Sequence, residues 1–182
     1  VVAPRLLQSK PAVSPAAGTA RVEPVQPVKA AQWTAVLVEG AVLRDGSALG
    51  AGEVLERAQR LDARQGRLVL AQQGREVRLE LIGLARLGGA AAVSLEEGTL
   101  AVEASPKVLV EAGGAWVSAS EAAFVITRAA AQVVVEVLRG QARVGSDSAL
   151  RDSATPHAPG RLRVPLPVKP PVARADSEPA PY

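Results

Sequence analysis

The chain contains no cysteine and no methionine, and it has only one histidine and four aromatic residues. Without cysteine it forms no disulfide, no thiolate metal site and no cysteine nucleophile. Without methionine residue 1 is a processed or otherwise defined end, so we expect that a signal peptide or a membrane anchor preceded it. The sequence also lacks the roughly 18–20 consecutive apolar residues of a membrane helix.

Catalytic groups are equally scarce. His157 lies among prolines at residues 155–159, where we expect a solvated side chain without the rigid partners that a general base needs. The sequence has no nucleophile elbow around serine and no phosphate-binding Gly-Lys-Ser/Thr loop. Glu96 and Glu97 are adjacent, so in a strand they face opposite sides, and Asp147 is a single carboxylate where calcium needs several oxygen ligands. We therefore expect no enzyme, no cofactor, no metal and no small-molecule substrate.

Proline and glycine divide the chain into three parts. Thirteen of the 14 prolines lie outside residues 33–147, and 14 of the 16 glycines lie inside that range. Proline-rich backbone is extended and has no core, so we predict extended arms at 1–32 and 148–182 around a folded block at 33–147. The arms carry the positive charge and the block is slightly acidic with few aromatics, which argues against a nucleic-acid partner.

Inside the block, short runs rich in valine and leucine alternate with glycine turns. Apolar and polar residues alternate in 77–81 and 133–137, which indicates strands. Residues 52–66 instead have helical spacing and good helix formers, so propensity alone predicts a helix there. Taken together, the pattern predicts an all-β stack of about twelve short strands of roughly 4–6 residues, with tight turns at 45–46, 73–74, 88–89 and 113–114.

The order of these elements resembles the FecR domain, a periplasmic β-module of bacterial envelope signalling. The resemblance covers about residues 33–145 and is carried by short glycine-marked motifs at 38–42, 49–55, 66–70, 74–81, 93–102 and 133–144. It implies a sandwich-like or solenoid-like β-module, with strands and turns rather than a helix at 52–66. The sequence departs from the family's Gly-Thr-x-Phe signature: Glu121 and Ala122 precede Phe124 where glycine and threonine are usual.

The resemblance, with the two arms, implies a non-enzymatic scaffold of the cell envelope or periplasm that binds other proteins, as a homo- or hetero-oligomer. A motility, secretion or appendage complex would fit. Two alternatives are a periplasmic regulator of the sigma/anti-sigma type and a cell-wall polysaccharide-binding module. The regulator's usual anti-sigma segment, membrane helix and C-terminal domain are missing, and the scarcity of aromatics disfavours the polysaccharide binder.

Two sequence features indicate candidate interaction residues: Trp33 lies at an arm junction, and Pro-x-x-Pro spacing suits aromatic grooves or strand addition. The candidates are Trp33, Pro24, Pro27, Pro165, Pro167 and Pro170.

Overall fold

The protein is built from strands. The computed structural model describes residues 32–88 and 91–166, and in these ranges the chain forms twelve strands and no helix. The predicted all-β fold is confirmed. The strands are β1 (Trp33–Arg44), β2 (Ser47–Ala48), β3 (Val54–Leu55), β4 (Arg60–Gln72), β5 (Val77–Leu87), β6 (Val93–Ala104), β7 (Val108–Ala112), β8 (Ala115–Ala119), β9 (Ala122–Arg128), β10 (Gln132–Arg139), β11 (Ala142–Gly145) and β12 (Gly160–Pro165).

The segment with helical spacing folds as strands and turns. Residues 52–66 contain β3, a turn at Arg57 and Ala58, and the start of β4. Ala58 has a positive φ of 68°, which no right-handed helix contains. The helix that propensity predicts is therefore wrong, and the strand-and-turn interpretation is confirmed.

Four strands are much longer than the predicted 4–6 residues. Strands β1, β4, β5 and β6 contain 12, 13, 11 and 12 residues. The glycine-marked motifs at 38–42 and 93–102 are not turns between two strands: Gly40 lies inside β1 and Gly98 lies inside β6. At Gly140, by contrast, β10 ends before β11 begins, so that corner is a true break.

A row of glycines bends the long strands. Gly40 of β1 lies opposite Gly66 of β4, and Gly83 of β5 lies opposite Gly98 of β6. The ladder between β4 and β5 is interrupted at the same level. Gly40, Gly83 and Gly98 have φ values of 72°, 146° and 97°, a region that residues with a Cβ rarely adopt. We call this row (Gly40, Gly66, Gly83 and Gly98) the glycine crease.

The crease divides one sheet into two layers. In β6, residues 93–95 precede the crease and pair in parallel with β7, whereas residues 98–104 start at the crease and pair with antiparallel β9. The first layer therefore has the strand order β3-β1-β4-β5-β6-β9-β10-β12, and the second has β2-β1-β4-β5-β6-β7-β8-β11. Three short connections at 105–107, 120–121 and 140–141 join the layers again at the end away from the crease, which we call the open end.

The loop between β2 and β3 spans the bend in β1. Ala48 pairs with Leu43 and Val54 pairs with Thr34, so six residue steps span the same distance as nine steps of β1. Six extended steps reach roughly 20 Å, whereas nine steps of a straight strand cover roughly 30 Å. The loop can join these strands only because β1 bends.

The inner faces of both layers form a single apolar core. Leu70, Leu79 and Phe124 of the first layer belong to the same buried cluster as Leu95 and Val117 of the second. All are at most 2% exposed. Burying such side chains stabilises a fold by about 1.5–3 kcal/mol each, so the core explains why a chain with few aromatics still folds.

The folded block continues past residue 147, where the sequence analysis placed the start of an arm. The backbone of Ala154 bonds to Val144 at 2.8 Å, and β12 pairs with β10 along six residues. Leu162 and Val164 pack against the core, and Leu166 follows them. The alternating Arg-Leu-Arg-Val run provides strand character between the prolines, so the described block extends to residue 166.

Candidate functional site

The candidate interaction residues fall into three groups. The Trp33 side chain is 4% exposed and belongs to the core, so the structure does not present it to a partner. Pro165 is exposed at the end of β12. Pro24, Pro27, Pro167 and Pro170 lie outside the described residues. Of the six, Pro165 alone is placed on a surface within the part of the chain that the structure describes.

Pro165 belongs to an edge strand. Within the described residues β12 pairs with β10 and with no other strand, so its second edge is not part of a ladder there. Arg161, Arg163 and Pro165 point outward and are exposed. Leu162 and Val164 point toward the core but are only partly buried. We call these five residues the β12 edge.

Sequence reasoning missed the two arginines of this edge. The residues at 160–165 alternate polar and apolar side chains, which is a strand signal, but the prolines on either side favoured an extended arm. The register places Glu136 opposite Arg161 and Val134 opposite Arg163. Arg163 therefore has an apolar neighbour on β10 where a carboxylate could have stood.

The chain leaves the block at opposite ends. The carbonyl of Gln32 accepts a hydrogen bond of 3.0 Å from the amide of Gln73, in the β4–β5 turn at the open end. The amide of Leu166 donates one of 3.0 Å to Ala131, in the β9–β10 turn near the glycine crease. The two exits also lie on opposite edges of the first layer, because Gln32 precedes β1 and Leu166 follows β12.

Ion pairs cover much of the outer face of the first layer. The Arg67 guanidinium donates to both carboxylate oxygens of Glu80, at 2.7 and 3.0 Å, and lies 3.5 Å from Glu39. These hydrogen bonds lower the pKa of Glu80, against a smaller opposing effect of burial, and raise the pKa of Arg67. Arg139 and Glu103 form a second, more exposed ion pair, at 3.0 Å.

The same face has an apolar part. Leu138 of β10 is 57% exposed and Ile82 of β5 is 48% exposed. Leu138, Ala101 and Ala123 line a shallow groove of about 180 Å³, whose other lining residues include Arg78, Glu80 and Glu103. A face of this kind suits contact with another protein better than capture of a small molecule, which needs an enclosed apolar cavity.

A larger cleft, of about 460 Å³, is lined by Ala41, Leu43, Asp62, Arg64 and Gln65. Asp62 is bound by the side chain and the amide of Arg64, which lowers the pKa of its carboxyl. A carboxylate held ionised in this way is a poor general acid near neutral pH.

Other chemistry is also sparse in the described ranges. The His157 side chain is exposed, next to a backbone bridge with Gln141. In residues 32–88 and 91–166, no three histidine, aspartate or glutamate side chains are grouped to hold a metal ion. The same ranges contain no helix of a length and hydropathy that would cross a membrane.

Comparison of the chain with protein-family models, with curated proteins and with solved structures gave no match in any of the three. The β12 edge and the two chain exits are therefore the features of the described residues that point to a function.

Proposed function

We propose that this chain is a non-enzymatic, FecR-like scaffold module of a bacterial cell envelope that binds neighbouring proteins through its proline-rich segments and its exposed sheet edges. The observation that carries the proposal is the position of the two exits. Gln32 and Leu166 lie at opposite ends and on opposite edges of the first layer. Segments that start at these points reach different neighbours.

The dimensions support a role in linking subunits. Residues 1–31 would reach roughly 95 Å and residues 167–182 roughly 50 Å if they were fully extended at about 3.1 Å per residue. A compact domain of the block's size has a radius of gyration of only about 14 Å. Ordering such segments on a partner costs about 1–2 kcal/mol per residue, so they must bury a large surface, as in a permanent assembly.

One local feature supports the FecR likeness and another differs from it. Strand β1 bends at Gly40 but continues as one strand, where the resemblance implies a strand pair. The bend before Phe124 is present although its glycine is replaced, because Glu121 adopts a φ of 51°. A positive φ at a residue with a Cβ indicates that the surrounding strands impose the bend, and a bend at this position is what the resemblance implies.

The proposal is tested by crosslinking and mass spectrometry in the native cell. The full chain is compared with a variant that lacks residues 1–31 and with one that ends at Leu166. We expect stoichiometric crosslinks to envelope proteins, and we expect each truncation to remove a different set of them. Full-stoichiometry association of a chain reduced to residues 32–166 would contradict the role of the segments.

The same experiment separates the scaffold from the alternatives. Crosslinks confined to an outer-membrane receptor and a sigma regulator would favour a signalling role. Capture by purified cell wall with no protein crosslinks would favour the polysaccharide binder.

A further inference from the structure

The β12 edge leaves part of the core's border uncovered. Leu162 and Val164 point inward and pack against the core, yet both are only half-buried. Their counterparts on β10, Val133 and Val135, are completely buried by strands on both sides. An extended segment added beside β12 would bury the remaining surface and bond to its outward amides and carbonyls.

The positive charges of the β12 edge indicate what kind of strand could add beside it. Arg161 and Arg163 stand two positions apart on the outer face, and no ion pair between described residues involves either of them. If two β12 strands paired with each other, these arginines would face arginines, which is destabilising. A strand with carboxylates at two alternate positions would instead place opposite charges across the edge.

The chain itself contains one segment of this kind. Residues 172–178 are a proline-free run between Pro171 and Pro179, so they can donate backbone hydrogen bonds along their whole length. Asp176 and Glu178 are separated by one residue, the same spacing as the two arginines.

We propose that residues 172–178 of one copy of this chain add as a strand to the β12 edge of a second copy. In an antiparallel pairing Arg163 would stand opposite Asp176, and Arg161 opposite Glu178. Ala175 would then stand opposite Val164, where a small side chain fits beside the half-buried valine. The inference deepens the proposed function and rests on it, since it names a second copy as one neighbour that the C-terminal segment binds.

The connecting residues favour a second copy over the segment's own edge. Five residues, 167–171, would have to reverse the chain for it to pair with its own β12. They include Pro167 and the pair Pro170-Pro171, and adjacent prolines favour extended, stiff backbone. The residue before a proline favours an extended conformation, and an extended connection would carry the segment away from its own strand.

Charge reversal of the full 182-residue chain tests the inference. An edge variant carries Arg161→Glu and Arg163→Glu, and a tail variant carries Asp176→Lys and Glu178→Lys. Sedimentation at a series of concentrations should show that the unaltered chain self-associates. Each variant alone should associate at least about tenfold more weakly, because two attractive cross-strand pairs become repulsive. Arg75→Glu with Arg151→Glu is the matched control, and it should associate like the unaltered chain.

Mixing the two variants is the decisive step. The glutamates of one edge then meet the lysines of the other tail, so the mixture should recover association that neither variant has alone. Equal association of all the variants would overturn the proposal, as would a mixture that remains monomeric. A monomeric unaltered chain whose amides at 172–178 are protected from hydrogen exchange would show that the segment binds its own edge, and would also overturn it.

Folding defects are separated from loss of contact by two measurements. At a protein concentration too low for self-association, each variant should keep the β-type circular dichroism spectrum and cooperative unfolding of the unaltered chain, with a slightly lower midpoint for the edge variant because position 161 lies opposite Glu136. Independently, a synthetic peptide of residues 166–182 should dissociate the self-associated chain, and the same peptide with both lysine substitutions should not. If self-association fails these tests while crosslinks to other envelope proteins persist, this inference is wrong and the proposed function is retained.

Discussion

Gly83 and Gly98 lie opposite each other in β5 and β6, so close that neither position has room for a side chain. A Cβ on Gly98 would lie 2.7 Å from the Cα of Gly83, and one on Gly83 would lie 2.9 Å from the Cα of Gly98. Each would also overlap a backbone carbonyl, of Ile82 and Glu97 respectively. The two backbones can approach in this way only because both residues lack a Cβ.

We therefore expect Gly98→Ala to lower the free energy of unfolding by about 2–5 kcal/mol, the sum of left-handed strain and backbone overlap. Gly74→Ala is the matched control. Gly74 also has a positive φ, 75°, but a Cβ there would meet nothing within 4 Å. It should cost only about 1–2 kcal/mol. Urea unfolding of both variants measures the difference, and equal costs would mean that the crease tolerates a side chain.

A second prediction concerns the bend before Phe124. Glu121 adopts a φ of 51°, and its amide donates a hydrogen bond of 3.1 Å to the carbonyl of Ser105. Glycine takes this conformation without steric cost, so Glu121→Gly should raise the free energy of unfolding by up to about 1 kcal/mol. Glu121→Ala keeps the strain and removes the carboxylate, and it should leave stability nearly unchanged. A stabilised alanine variant would assign the effect to charge rather than to backbone strain.

The ion pair between Arg67 and Glu80 makes stability depend on pH. The pKa of Glu80 is lowered in the folded state, mainly by its hydrogen bonds from Arg67. Its contribution is therefore present above the unfolded-state pKa of about 4.3 and is lost as the pH falls through the lower folded-state pKa.

Glu80→Gln should accordingly be less stable than the unaltered chain at pH 7, with a gap that narrows below pH 4. Both side chains are about a third or more exposed, so the gap should be less than about 1 kcal/mol. The comparison is Glu103→Gln, which loses a more exposed pair with Arg139 and should show a smaller gap. Denaturant titrations at pH 7 and pH 3 measure both.

A fourth prediction concerns the end of the folded block. A chain of residues 32–166 keeps β12, so at a protein concentration too low for self-association it should unfold at the same denaturant concentration as the full chain. A chain that ends at residue 147 loses the contacts of Leu162 and Val164 with the core and uncovers one edge of β10. It should be less stable by about 3 kcal/mol or more. Equal stability of the two truncated chains would mean that β12 contributes nothing to the block.

Much of the fold follows from short-range signals in the sequence. Alternation at residues 77–81 and the turn residues Asp45-Gly46 and Gly113-Gly114 correctly predicted strands and two-residue turns. The length of the central strands could not be predicted in the same way. The sequence does not distinguish a glycine that ends a strand from one that bends a continuous strand. Gly140 is of the first kind and Gly98 of the second, and both have positive φ.

The site was less predictable because it depends on pairing across the sheet. Trp33 was interpreted as a candidate contact from its place at a junction, and long-range packing buries it instead. The surroundings of Arg161 and Arg163 depend on the pairing of β12 with β10. The β10 residues opposite them lie 25 or more positions earlier in the sequence. The composition predicted an arm at residues 148–166 because the number of prolines does not indicate which strand pairs with that segment.

The placement of the two exits has a mechanical consequence. Tension applied between Gln32 and Leu166 would act along the strands, since β1 would be pulled toward the open end and β12 toward the crease. Every ladder between them would then be loaded in shear, with its hydrogen bonds sharing the force, rather than being unzipped one bond at a time. A module loaded in this direction resists stretching between its neighbours.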